Sequence, residues 1–279
     1  MLTDEELKKI GELSRQIMKD EYIDRKLCCN APRDYIDKSK DTILFIGMNP
    51  AGDEKDVKRE EKTKGLFLNY YEDLENLKNE NADWFCSKTE KSDKEKAFIY
   101  GTYFRPILEF FENAARKDKF AWEWCNCPFD ELKKTIERIR GKLSDKESKI
   151  LKECHSKYRA AQYQIVMRDL VYYHQTSDFN KLLKSEQNVQ VTDTVLELLD
   201  KYIDIIPREK LKLIYVSSAT SCKYIESALS SHGDKMDNFG IIKYNDIPVL
   251  FAGRPLNGAG VIDKYSKIRL MNAVKKYIK

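Results

Sequence analysis

The fold of this chain is decided by residues 42–50, which read TILFIGMNP. The apolar run from Ile43 to Met48 contains no charged residue, and it stops at Asn49-Pro50. A short continuous apolar run that ends at turn residues is typical of a buried parallel strand. We therefore expect a strand over residues 42–48, with Asn49 and Pro50 at its carboxyl end.

Similar patterns recur along the chain. Further strands are predicted at residues 165–174, 211–216 and 247–253, with an antiparallel candidate at 241–244. Apolar residues at helical spacing predict helices at residues 3–20, 191–206, 223–230 and 262–278. The alternation predicts an α/β protein, a three-layer α/β/α arrangement with a central, mainly parallel four-stranded sheet. In such sheets ligands bind beyond the carboxyl ends of the strands.

The chain has 279 residues, of which 42% are hydrophobic, enough to bury a sizeable core. We expect a single α/β domain over residues 1–279, with a helical N-terminal segment at 1–40 and a helical insertion at about 66–162. Thr3 and Glu6 have the spacing of a capping box at the start of the first helix.

Composition excludes several classes of protein. A net charge of +4 indicates neither a strongly basic nor a strongly acidic partner. No run of 18 apolar residues exists, so no membrane partner is expected. The first residues lack the features of a signal peptide, and seven cysteines are an odd number for a disulfide framework. We therefore expect a cytoplasmic protein with reduced thiols, a monomer.

Two strand ends carry unusual chemistry. Residues 47–53 read GMNPAGD after the first strand, and residues 254–260 read RPLNGAG after the last. Asn49 offers both a hydrogen-bond donor and an acceptor, and Arg254 offers a fixed positive charge beside glycines that allow close backbone approach. Ordinary turns would account for either segment alone.

Together the two segments resemble the uracil-DNA glycosylase superfamily. Residues 47–51 resemble its first motif, in the Gly-x-Asn-Pro form of the mismatch-specific and thymine-DNA glycosylases. Residues 254–258 stand where the superfamily carries its second motif, which usually begins His-Pro or Asn-Pro and here begins Arg254-Pro255. The resemblance implies a DNA repair hydrolase that flips a modified or deaminated base from single-stranded or mismatched DNA and hydrolyses its N-glycosidic bond, with no metal or other cofactor.

The resemblance also implies roles for particular residues. Asn49 would orient the attacking water, Pro50 would shape the pocket wall, and Ala51 would leave room beside the 5-carbon of a pyrimidine. His174, at the predicted end of the second strand, would read the base edge, and Leu256 would fill the gap left by the flipped base.

The predicted catalytic set is Asn49, which matches the first motif, with Asp53 and Arg254, at which this sequence departs from the pattern of the family. Other predicted substrate contacts are Gly47, Met48, Pro255, Asn257 and Gly258. Either Asp53 or Glu54 would activate the water, and either Phe67 or Phe104 would stack on the base. Arg254 would donate to the leaving base or grip a phosphate.

Other interpretations remain open. The missing motif histidine favours a catalytically inactive nucleic-acid or nucleotide-binding protein of the same fold, and an enzyme acting on free nucleotides is a third reading. Cys125, Cys127 and Cys154-His155 match no zinc spacing, so we expect no metal there.

Overall fold

The structure is a computed structural model of the chain. It describes residues 3–23, 36, 38–48, 110–111, 114, 163–172, 179–233, 235–237, 240–254, 256 and 262–278.

The described helices and strands follow one another along the chain. The helices are α1 (Asp4–Gln16), α2 (Asp20–Ile23), α3 (Val189–Asp204), α4 (Ala219–Ser231) and α5 (Lys264–Val274), with a 3₁₀ turn at Phe179–Leu182. The strands are β1 (Asp41–Gly47), β2 (Tyr163–Asp169), β3 (Leu211–Val216), β4 (Ile241–Tyr244) and β5 (Ile247–Phe251).

The strands form one mainly parallel sheet in the order β2-β1-β3-β5-β4. Strands β2, β1, β3 and β5 run parallel, whereas β4 is antiparallel to β5. The α/β class and the mainly parallel sheet are confirmed. The predicted number of four strands is wrong, because the candidate at residues 241–244 joins the sheet as its fifth strand.

The fifth strand forms because β4 and β5 are joined by a two-residue turn. Asn245 and Asp246 have φ values of 51° and 65°, the left-handed conformation that two-residue hairpin turns require. Asn and Asp tolerate this conformation better than most residues. The turn fixes the register in which Tyr244 lies opposite Ile247.

One face of the sheet packs against α1, α3 and α4. Leu44 and Ile46 of β1 and Ile214 and Val216 of β3 point to this face, and each is at most 1% exposed. The apolar stripes of the three helices complete the same core.

The opposite face is buried as well. Phe45 and Tyr215 stack there with ring centroids 5.4 Å apart. Burial on both faces explains the continuous apolar runs from Ile43 to Ile46 in β1 and from Leu213 to Val216 in β3. Since α1, α3 and α4 all lie on the first face, the second helical layer of the predicted three-layer arrangement stays a prediction.

Helix starts follow their capping residues. Thr3 and Glu6 form the predicted capping box of α1, with the Glu6 N–H 3.2 Å from Oγ1 of Thr3. Helix α4 begins at Ala219, four residues before the predicted start at residue 223. The cause is Ser218, whose side chain caps the helix by accepting from the Ser221 N–H.

The second strand is shorter than predicted. β2 ends at Asp169, opposite Gly47, and the predicted extension to residue 174 is wrong. Leu170, Val171 and Tyr172 are buried outside the strand. β2 ends five residues before His174, so the predicted position of His174 at the end of this strand is wrong. His174 itself lies outside the described residues.

The chain divides into two compact units. The first contains Met1–Phe67 and Tyr163–Arg254, and the second contains Leu68–Gln162 and Pro255–Lys279. The sheet and α1–α4 belong to the first unit, and α5 belongs to the second. The single-domain prediction and the helical insertion at 66–162 stay predictions. Among the described residues, no helix is both long and apolar enough to cross a membrane.

Candidate functional site

The candidate site is the carboxyl edge of the four parallel strands, all within the first unit. From β1 the chain passes to β2 on one side, while β3 and β5 lie on the other side of β1. The order therefore reverses between β1 and β3. In open α/β sheets this reversal opens a crevice beyond the strand ends, where ligands bind.

The end of β1 lies against a carboxylate from β2. Gly47 pairs with Asp169, and a Cβ built on Gly47 would lie only 2.3 Å from Asp169 Oδ1. The pairing continues beyond the strands, because the Val171 N–H donates to the Met48 carbonyl at 3.0 Å. Asp169 therefore sits beside the backbone of Gly47, two residues before Asn49.

Two buried tyrosines fix the backbone of Asp169. The hydroxyl of Tyr172 accepts from the Asp169 N–H at 3.2 Å, and the hydroxyl of Tyr202 donates to the Asp169 carbonyl at 2.8 Å. Each tyrosine is 1% exposed, and burial raises the pKa of both hydroxyls well above the usual range. Both stay neutral, so they act as hydrogen-bond partners and not as acids or bases near neutral pH.

Serine hydroxyls that follow β3, from its connection to α4 and from the first turn of α4, hold the end of β1. Ser217 Oγ donates to the Ile46 carbonyl at 3.0 Å, and Ser221 Oγ donates to the Gly47 carbonyl at 2.6 Å. Ser218 Oγ in turn donates to Ser221 Oγ at 2.8 Å. These protons are committed to structural bonds, so the serines position β1 and do not resemble an activated nucleophile.

A buried thiol holds the end of β5. Cys222 Sγ accepts from the Gly253 N–H at 3.3 Å, and the thiol lies 3.5 Å from the Val216 carbonyl. Burial raises the pKa of this thiol from 9.0 to about 11, so it stays protonated at neutral pH and is a poor nucleophile. Gly253, with a φ of 68°, then turns the chain toward exposed Arg254.

The N-terminus of α4 also lies at this edge. The helix begins at Ala219, three residues after β3 ends at Val216. The first-turn N–H groups of a helix and its dipole favour anions. Together with the positive charge of Arg254, the edge has the chemistry to accept a phosphate or an anionic leaving group.

Four of the predicted site residues are described. Gly47 ends β1, Met48 follows it, and Arg254 follows β5 at the same edge. The intervening β3 corresponds to about 10 Å between β1 and β5. Met48 packs partly against the core, and its carbonyl accepts from the Val171 N–H. Leu256, in the second unit, is 1% exposed and would have to leave that burial to fill a gap in DNA.

The remaining predicted residues lie outside the described residues. They are Asn49, Pro50, Ala51, Asp53, His174, Pro255, Asn257 and Gly258, together with the alternatives Glu54, Phe67 and Phe104 and the cysteine cluster at 125, 127 and 154. Of the three histidines, the described residues include only His232, at the C-terminal end of α4. No group of three or more potential metal ligands occurs in the described part of the chain.

Sequence reasoning missed Asp169, Ser221 and Cys222. The strand predicted at residues 165–174 places Asp169 in its interior, and the position of Asp169 at the strand end follows only from its pairing with Gly47. The available signal was a carboxylate within an apolar run, since an acidic residue is rarely placed inside a buried strand. Ser221 and Cys222 gave no comparable signal, because their roles depend on contacts across the sheet.

Comparison of the chain with protein-family models, with curated proteins and with solved structures finds no match. The fold defines an open, mainly parallel α/β protein whose strand order reverses between β1 and β3. An assignment of activity depends on the two motifs and on the chemistry of the carboxyl edge of the sheet.

Proposed function

We propose that this chain is a DNA glycosylase that hydrolyses the N-glycosidic bond of a modified or deaminated base. One observation carries the proposal: the two motif segments leave β1 and β5 at the same sheet edge, on either side of β3. Gly47 and Arg254, about 200 positions apart in sequence, thereby lie at the same edge of the sheet. This is the arrangement that a site built from both motifs requires.

The chemistry of the edge fits this reaction. Breaking an N-glycosidic bond develops positive charge on the sugar and negative charge on the departing base. Asn49 would orient the attacking water. Asp169 adds a carboxylate that can stabilise the cationic sugar or take a proton from the water, and Arg254 offers a positive charge to the departing base.

Asp169 and Asp53 are competing candidates for the catalytic carboxylate. If Asp169 is the group, Asp169→Asn should lower single-turnover base release on the order of a hundredfold, because the amide can neither accept the proton nor stabilise the cation. Asp53→Asn should then have little effect. Asp193→Asn, an exposed carboxylate on α3, is the matched control. The opposite result would assign the role to Asp53.

The substrate is found by offering labelled oligonucleotides that carry uracil, hypoxanthine, xanthine or 5-modified pyrimidines. Each is presented single-stranded and mispaired, followed by alkaline cleavage at abasic sites. Release of at least one base is expected. No release from any of them, with oligonucleotide binding retained, would contradict the glycosylase proposal.

A second candidate is a catalytically inactive nucleic-acid or nucleotide-binding protein of the same fold. It is favoured by Arg254, a permanent cation where the superfamily usually carries histidine, and by the structural use of the Ser217, Ser221 and Cys222 side chains. The same oligonucleotide assay separates the two, because this protein would bind without forming abasic sites.

The proposal extends to the cellular setting. We infer that the protein acts as a cytoplasmic monomer with DNA as its partner and without a metal. The free, buried Cys222 supports a reducing compartment. Light scattering coupled to gel filtration tests the monomer, and elemental analysis for stoichiometric zinc or iron tests the metal.

A further inference from the structure

The exposed side of α5 has an unusual composition. Between residues 265 and 276, the exposed residues are Tyr265, Arg269, Asn272 and Lys276. Steps of four and three residues place Tyr265, Arg269 and Asn272 on one face of α5, and Lys276 follows in the turn after the helix ends at Val274. Met271 and Val274 are buried at 0%. We call these four exposed residues the α5 stripe.

Tyr265 is 76% exposed, whereas Met271 and Val274 of the same helix are buried. It lies in the first turn, where Asp263 caps the helix by accepting from the Tyr265 and Ser266 N–H groups at 2.9 and 3.0 Å. An aromatic ring this exposed gains little from the core, so its surface is available to a ligand.

Positive charge is concentrated in the same segment. Residues 264–279 contain six of the 50 basic residues and none of the 46 acidic residues, so residues 1–263 carry a net charge of −2. The only nearby acid in this part of the sequence, Asp263, uses its carboxylate to cap the helix. Arg269 Nη2 donates to Ser266 Oγ at 3.1 Å, which keeps the guanidinium near the first turn that contains Tyr265.

We propose that the α5 stripe binds single-stranded nucleic acid, with an unpaired base stacked on Tyr265 and backbone phosphates held by Arg269. Arginine and aromatic side chains close together on a positive surface are the combination that binds single strands with little sequence preference. The span from Tyr265 to Asn272 is about 10 Å of helix, enough for contacts beyond a single nucleotide. Asn272 and Lys276 extend the polar surface along the strand.

Single-stranded nucleic acid fits this surface better than other anionic partners. A membrane-surface helix needs a broad exposed apolar face, and the α5 stripe has one aromatic residue among polar ones. A duplex buries its base faces, so Tyr265 would have nothing to stack on. The inference goes beyond the proposed function, because it concerns a surface in the other unit and requires no base cleavage.

The test measures binding of the full chain to fluorescein-labelled oligothymidylate of 20 nucleotides by anisotropy, at several salt concentrations. Thymidylate carries no damaged base, so the measurement does not depend on catalysis. Tyr265→Ala should weaken binding roughly tenfold, and Tyr265→Phe should bind nearly as well as wild type because the ring is retained. Arg269→Ala should weaken binding and reduce the salt dependence by about one phosphate contact.

Matched controls separate this surface from general electrostatics. Arg15→Ala removes an exposed arginine from the last turn of α1 and should leave binding unchanged. On a duplex of equal length, Tyr265→Ala should have little effect, whereas Arg269→Ala should still weaken binding. All variants alter exposed side chains, and circular dichroism checks that they are folded.

Three outcomes would overturn the inference. Wild type could fail to bind oligothymidylate at low salt, Tyr265→Ala and Arg269→Ala could match Arg15→Ala, or binding could depend on Arg254 alone. The last outcome would leave the proposed function intact but would contradict a binding role for the α5 stripe. Conversely, a chain that releases no base but loses binding on Tyr265→Ala would uphold the stripe and contradict the glycosylase.

Discussion

Gly47 has no room for a side chain, because Asp169 Oδ1 occupies the space. Oδ1 of Asp169 would lie 2.3 Å from a Cβ at this position, well inside contact distance. At Gly253 no atom lies within 4 Å of the position of a Cβ. Glycine is favoured there because the backbone has a φ of 68°, which residues other than glycine rarely adopt. The two glycines that precede the motif residues are therefore required for different physical reasons.

Gly47→Ala should lower the free energy of unfolding by about 1–3 kcal/mol, since the new methyl group forces the Asp169 carboxylate to move. In an Asp169→Ala background the same change should cost less than about 0.5 kcal/mol, because the clash is gone. Urea unfolding of the four chains measures both values. Gly253→Ala is the control, and its cost should be the same in either background. Equal costs of Gly47→Ala in both backgrounds would contradict the assigned contact.

At the scale of elements, the β4–β5 hairpin is the part most clearly encoded locally. Its turn at Asn245 and Asp246 needs positive φ at both positions, and an aspartate held there is strained relative to glycine. The strand pair it joins forms the edge of the sheet, where Lys243 is exposed. A charged side chain at an edge strand discourages pairing with other chains.

Asp246→Gly should raise the free energy of unfolding by about 0.5–1 kcal/mol, because Asn-Gly is the preferred pair for such a turn. Asp246→Ala should lower it, since alanine disfavours the left-handed conformation and lacks the local hydrogen bonding of aspartate. Denaturant titration compares the two variants. A loss of stability in Asp246→Gly as large as in Asp246→Ala would show that the side chain, and not the backbone, controls the turn.

The bounds of some strands could be predicted from the sequence, and those of others could not. The strand at 211–216 and the candidate at 241–244 were predicted with their observed bounds, because each is a mostly apolar segment closed by turn residues. The second strand was predicted too long, because Leu170, Val171 and Tyr172 are buried but lie after the end of β2. The Leu170 and Val171 N–H groups still donate to the Gly47 and Met48 carbonyls beyond the strand. Hydrophobicity reports burial and does not distinguish a strand from a buried turn.

The candidate site was predicted only in outline. That two strand ends would meet at one edge follows from parallel topology alone. The contact of Asp169 with Gly47 depends on register, and the bond between Gly253 and Cys222 depends on packing across the sheet. Neither leaves a periodic pattern in the sequence.

At the scale of the whole molecule, several buried groups hold their protons more tightly in the folded chain. Burial raises the pKa of Cys222 from 9.0 to about 11 and that of Tyr224 from 10.0 to about 12. It also raises the pKa of Tyr172, Tyr202 and Tyr215. Above a pH of about 9, the unfolded chain loses protons that the folded chain retains.

The free energy of unfolding should therefore be constant near neutral pH and fall as pH rises above about 9, by up to about 1.4 kcal/mol per pH unit for each group. Tyr215→Phe should make the fall shallower between pH 9.5 and 10.5, because one buried phenol is removed. Urea unfolding at successive pH values measures the slope. Tyr265→Phe, which changes an exposed phenol, is the control. Stability that rises above pH 9 would contradict the assigned burial.

The central claim is that the segment following β1 performs hydrolysis of an N-glycosidic bond, and one measurement tests it most directly. Single-turnover base release by Asn49→Ala is compared with wild type on the best oligonucleotide substrate, with binding measured in parallel. We predict that base release is largely lost while binding is kept, because Asn49 would position the water in the transition state and not dock the DNA. Full base release by Asn49→Ala would contradict the claim.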